Sequence, residues 1–130
     1  MTPFRFVPHT ADVAVELVAQ DEAGLRRAGL DALRELLVGA SPVAPRQHRP
    51  VALRGADPTE RLIHFLQDVL YLYDTERFVP ARVTADGIEG EPFDPARHEA
   101  RPEVKAVTWH GGQVRQEADG KLHATVIFDV

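Results

Sequence analysis

The chain has 130 residues, no cysteine and a formal net charge of -5, with 44% hydrophobic and 27% charged residues. This balance sets the expectation of one folded domain over residues 1–130 and excludes the disordered and fibrous classes. No apolar run reaches the ~18–20 residues of a membrane span, and Met1-Thr2-Pro3-Phe4-Arg5-Phe6 does not read as a signal peptide. Without cysteine, disulfides and thiolate metal sites are excluded and a cytoplasmic location is the expectation. A protein that grips RNA alone usually carries a basic patch, because neutralised phosphates supply most of the affinity. Here Arg26, Arg27, Arg46, Arg49, Arg97 and Arg101 are scattered, which reads as solvated surface charge, so any link to RNA would have to run through a partner protein.

In chain order, Phe4-Arg5-Phe6-Val7 reads as a short strand and Pro8-His9-Thr10-Ala11 as a loop. From Asp12 to Ala19 the residues alternate: Val13, Val15, Leu17 and Ala19 take one face, Asp12, Glu16 and Val18 the other. Asp21 is placed to cap a helix in which Leu25, Ala28, Ala32, Leu33, Leu36 and Leu37 recur at helical spacing, and Gly39 to end it. The proline-rich stretch Ser41–Pro50 reads as an extended connection, followed by a brief strand at Val51-Ala52-Leu53.

Asp57-Pro58-Thr59-Glu60 is the strongest helix start: an N-cap, a proline at the first helical position and a glutamate three residues on. Leu62, Leu66, Val69, Leu70 and Tyr73 form the apolar stripe behind it. Phe78-Val79 opens a strand, Asp86-Gly87 signals a hairpin turn, and Glu91-Pro92-Phe93-Asp94-Pro95 reads as a rigid loop. Extended runs are expected at Val104–His110 and Gln113–Glu117, then a second hairpin at Asp119-Gly120 leading into Leu122–Val130. The expected fold is α+β, a mixed or antiparallel sheet of six to eight strands with two helices packed on one face.

No nucleophile constellation stands out: there is no cysteine, no Gly-x-Ser-x-Gly elbow and no glycine-rich phosphate loop. Of the six histidines, none makes a tight metal spacing. His48, His64 and His123 read as surface or structural residues. His9 and His98 stand in loops beside carboxylates, where ordering the loop is the first reading and catalysis the second. Asp12 opens one strand and Asp129 nearly closes another. If those ends lie side by side, their carboxylates and the Val130 α-carboxylate converge, and three anionic oxygens repel unless a cation or proton joins them. A hard cation such as Ca²⁺, Mg²⁺ or Mn²⁺ suits such ligands. Simple solvation is the commoner fate of an aspartate at an exposed strand end.

Five segments resemble the archease family: Arg5-Phe6-Val7-Pro8-His9-Thr10-Ala11-Asp12-Val13, Leu70-Tyr71-Leu72-Tyr73-Asp74-Thr75-Glu76, Gly90-Glu91-Pro92-Phe93-Asp94-Pro95-Ala96-Arg97-His98, Glu103-Val104-Lys105-Ala106-Val107-Thr108-Trp109-His110-Gly111 and Val126-Ile127-Phe128-Asp129-Val130. They occur in family order and span almost the whole chain. The stretch from Val83 to Glu91 is shorter than is usual in the family, which implies a trimmed hairpin.

The resemblance implies a non-catalytic accessory protein of tRNA processing that serves the RtcB-type tRNA-splicing RNA ligase. That ligase loads a histidine with GMP, using GTP and Mn²⁺, and the accessory protein promotes this guanylylation and lets the ligase turn over repeatedly. The family metal site maps onto Asp12, Asp129 and Val130, with Ca²⁺ as the first expectation and Mg²⁺ or Mn²⁺ sharing the same ligands. Lys105 and His9 are assigned to partner binding and activation; a solvated strand charge is the alternative for Lys105. Two other functions remain open: a chaperone or specificity factor for a tRNA methyltransferase, and a metal-dependent hydrolase with His9 as base.

Overall fold

A computed structural model describes residues 3–7, 12–109 and 113–130. In chain order the elements are β1 (Phe4–Val7), β2 (Asp12–Ala19), α1 (Glu22–Val38), β3 (Gln47–Pro50), α2 (Pro58–Glu76), β4 (Phe78–Val83), β5 (Gly87–Pro92), β6 (Ala106–Thr108), β7 (Arg115–Gln116) and β8 (Leu122–Asp129). The expected α+β class holds, with one difference: the strands divide between two sheets. The larger runs β1-β2-β8-β6, with β7 also on β8, and the smaller runs β3-β5-β4. Every pairing in both is antiparallel.

Both helices start where their capping residues place them. The Asp21 carboxylate accepts the Gly24 N–H at 2.7 Å and the Asp57 carboxylate accepts the Glu60 N–H at 2.9 Å, each satisfying a donor that the first turn leaves open. Helix α1 ends at Gly39, whose φ of 62° lies in the left-handed region and whose N–H returns to the Glu35 carbonyl. Helix α2 ends at Arg77, also left-handed at φ 55°.

Alternation along β2 and β8 then decides which faces meet. Val15, Leu17, Ala124, Val126 and Phe128 are buried on the helix side, against Leu25, Leu30 and Leu33 of α1 and Leu62, Phe65 and Leu66 of α2. Helix α1 packs on β2 and β4, and α2 on β4 and β6, so the helical layer joins the two sheets.

One expected strand moved and two boundaries changed. Val51-Ala52-Leu53 forms no strand, and the pairing falls on β3, inside the stretch read as a connection. The cause is the backbone ladder: Arg46 donates to the Gly90 carbonyl and Val51 to that of Asp86, at 3.1 and 3.0 Å, fixing residues 47–50 against β5 whatever their side chains. Glu91 and Pro92, read as loop, belong to β5, and the expected run Val104–His110 is regular only over Ala106–Thr108 among the described residues.

Gly90 makes this small sheet possible. A Cβ there would lie 2.0 Å from the Val79 carbonyl oxygen, a contact only backbone movement relieves. Gly90→Ala is therefore expected to destabilise the fold by ~3 kcal/mol, the upper end of overpacking costs, as a shift of the urea midpoint. A change under ~0.5 kcal/mol would show that β5 moves away freely.

Candidate functional site

Strands β2 and β8 pair along their whole length, and the register sets Asp12 directly opposite Asp129. Because Val15, Leu17, Val126 and Phe128 turn toward the helices, both aspartates project from the other face. Directly opposed residues in such a pair have Cβ atoms ~4.5–5.5 Å apart. A one-residue slip would drive the carboxylates into the core, so burial of Phe128 and Val126 protects the juxtaposition. Asp12 is half-buried, and Asp129 and Val130 are exposed.

On the other flank of β8, Ala106 lies opposite Asp129, and the Lys105 N–H donates to the Asp129 carbonyl at 2.7 Å. Asp12, Asp129 and Lys105 thus stand on three neighbouring chain segments at one end of the large sheet. His9 lies outside the described residues. Two carboxylates directly opposite each other disfavour pairing unless a cation or proton intervenes. Their oxygen chemistry fits a hard divalent ion. Among the described residues no group of three His, Cys, Asp or Glu side chains gathers. A metal at this end would therefore draw further ligands from main-chain or terminal oxygens beside the two aspartates.

Next to Lys105 the chain borders a cavity of about 680 Å³, lined by Leu37, Tyr73, Asp74, Phe93, Arg101 and Glu103 among others. Partial burial and the nearby Glu103 raise the Asp74 carboxyl above its ordinary range, while Arg77 opposes the shift. The last turn of α2 carries acids and no basic residue, against the sense of the helix dipole. Tyr71, 66% exposed on the same helix, is the most open of the large apolar side chains described.

A second polar cluster lies in the small sheet. Glu91 is 2% exposed. It accepts from Arg97 Nη1 at 2.6 Å, the Ala44 N–H at 2.8 Å and His98 Nε2 at 3.1 Å, with Arg46 Nη1 at 3.5 Å. Chiefly through Arg97, against the opposing effect of burial, its carboxyl is held down to about 2. The loop-ordering role expected of His98 is what its bonds provide. Other histidines pair locally: His48 with Asp86, His64 with the Arg54 carbonyl and His123 with Asp119. Reading the sequence missed Glu91, Asp74 and Glu103. The available signal for Glu91 was an acid in an extended segment with an arginine and a histidine six and seven residues on.

The description "Archease protein family (MTH1598/TM1083)" belongs to the family profile that matches residues 4–130. The chain belongs to the archease family. Protein archease of Pyrococcus abyssi is 28% identical to it over 142 residues, covering 100% of both chains. Protein archease of Thermococcus gammatolerans is 30% identical over 142 residues, again with full coverage of both. The solution structure of Methanobacterium thermoautotrophicum protein 1598 superposes with a TM-score of 0.81 at 29% identity, covering 100% of each chain. The archease likeness thus extends from sequence to the complete fold. Among the described residues, no helix is long and apolar enough to cross a membrane.

Proposed function

We propose that this archease-family chain is a non-catalytic accessory protein that docks on an RtcB-type tRNA-splicing RNA ligase and promotes its guanylylation and repeated turnover. The observation supporting this most directly is the register that sets Asp12 opposite Asp129 while Lys105 is bonded to the same residue. Asp12, Asp129 and the Val130 carboxyl oxygens would hold a divalent ion, Ca²⁺ in the first place, which when bound neutralises the carboxylates and orders the end of β8. Lys105 supplies a positive group beside that site, and His9 belongs to the same contact with the ligase. The acidic end suits the basic channel by which an RNA-processing enzyme holds phosphates, and such complementarity steers docking. RNA is reached through the ligase, and the protein works in the cytoplasm.

The test is a guanylylation assay with the cognate ligase, GTP and Mn²⁺, with ligation turnover followed in parallel. The protein is expected to raise both, and Lys105→Ala to remove the gain. Equal rates with and without the wild-type protein would defeat the proposal. Extending the chain beyond Val130 converts its α-carboxylate to an amide. This change is expected to weaken Ca²⁺ binding at least ~10-fold, since ligand charge tunes such sites over decades. Unchanged affinity in a calorimetric titration would remove the Val130 oxygens from the ligand set.

A further inference from the structure

The segment Gly90–His98 takes no part in the site just proposed, yet Glu91 and His98 are two of the three buried polar side chains among the described residues. We propose that Glu91, through Arg97 and His98, is a positioning residue for Lys105, clamping one end of the irregular segment whose other end sets Lys105 against β8.

The geometry runs outward from the carboxylate. Residues Asp94–His98 close a turn, with the Arg97 and His98 N–H groups on the Asp94 carbonyl at 2.9 and 2.7 Å and the Ala96 N–H on the Asp94 carboxylate at 2.9 Å. The Asp94 N–H donates to His98 Nδ1 at 2.9 Å, so Nδ1 is the acceptor nitrogen and the ring hydrogen sits on Nε2, facing Glu91. Glu91 therefore holds two consecutive side chains of the turn, Arg97 and His98, and through Ala44 the loop after α1. That loop grips the chain again one residue on, where the Glu99 N–H donates to Ser41 Oγ at 2.8 Å.

From Glu99 to Lys105 there is neither helix nor strand. The run is tied by burial of Val104 and by the Lys105 N–H on Asp129. The connection is six residue steps long, each reaching at most ~3.3–3.6 Å when extended. A displaced Asp94–His98 turn is therefore felt at Lys105. An apolar residue at position 91 could fill the space, but it would not fix the direction of Arg97 and His98. In some proteins a buried polar or ionic group fixes one arrangement at a cost in desolvation, and that is the role proposed for Glu91.

The value of a placed Lys105 rests on the function proposed above; the placement itself does not. Glu91→Gln and Arg97→Gln are compared with the wild type by backbone amide exchange. Arg97 is the safer site because its side chain is 38% exposed. The expected result is Lys105 exchange accelerated ~10-fold, with the Val126 and Phe128 amides of β8 unchanged. In the ligase assay, Arg97→Gln should lower maximal stimulation without changing the half-saturating concentration. Combined with Lys105→Ala it should be no worse than Lys105→Ala alone, since residues acting through one another are not additive. Unchanged Lys105 exchange in a folded Arg97→Gln protein, or equal acceleration along β8, overturns the proposal. Full stimulation by Lys105→Ala would instead refute the role given to Lys105, and the exchange data would still decide the positioning.

Discussion

An Asp129→Asn protein should lose the calcium-dependent rise in thermal stability while becoming slightly more stable without metal. The two effects have opposite signs because the same carboxylate has two consequences. With metal, a ligand that binds only the folded state stabilises it by ~2.7 kcal/mol at a hundred times its dissociation constant, and removing a charged ligand forfeits most of that. Without metal, Asp129 faces Asp12 across the β2–β8 pair, and like charges directly opposite destabilise by ~0.2–1 kcal/mol. Asparagine keeps the shape and removes the repulsion. Thermal unfolding in EDTA and across a calcium titration separates the two contributions. The proposed metal site would not survive an Asp129→Asn protein whose melting temperature rises with calcium as steeply as the wild type's. In the ligase assay the same variant is expected to give no stimulation.

Glu91→Ala should destabilise the fold by ~3–5 kcal/mol, the usual result of removing one partner from a buried charged set. Against a total stability of ~5–15 kcal/mol, that is a large share. The cost comes from what remains: the His98 Nε2–H and the Ala44 N–H without an acceptor, and Arg97 without its counter-charge. The pH dependence has a definite sign. The Glu91 carboxyl is held at about 2 in the folded chain against 4.5 ordinarily. Its contribution is therefore complete above the unfolded value and is lost as pH falls from about 4.5 toward 2. Urea midpoints measured downward from pH 6 should drop through that window in the wild type and more shallowly in Glu91→Gln. Parallel pH profiles would mean that the acid instability originates elsewhere.

The parts of the fold legible in the sequence are those that local chemistry decides. Asp21, Gly39 and Asp57 mark helix ends because a cap satisfies donors or acceptors within a few residues, and Asp86-Gly87 marks its hairpin for the same reason. The alternation in β2 separated Val13, Val15 and Leu17 from Asp12, and so showed which face of that strand Asp12 shares. The juxtaposition of Asp12 and Asp129 was legible only as a condition, because periodicity describes a strand's faces and not its neighbour. β3 was misplaced for a related reason: glycines at 87 and 90 let the backbones of β3, β4 and β5 approach, while Gln47–Pro50 shows no alternation. Glu91 was hidden because its donors come from two separate places, Ala44 in the loop after α1 and the Asp94–His98 turn. Burial of an acid becomes visible only when both have converged on it.

The position of β8 also bears on how the chain acquires its structure during synthesis. β8 lies between β2 and β6, so the large sheet lacks its middle until residues 122–129 are available. Until then β2 can pair only with β1 and shows its other edge to the surroundings. Such a long-range pairing, made late, is slow to form and leaves an open template for association with other chains. Truncated products that lack β8 should therefore accumulate as aggregates rather than as a smaller folded protein. The juxtaposition of Asp12 and Asp129 then forms only together with the middle of the large sheet.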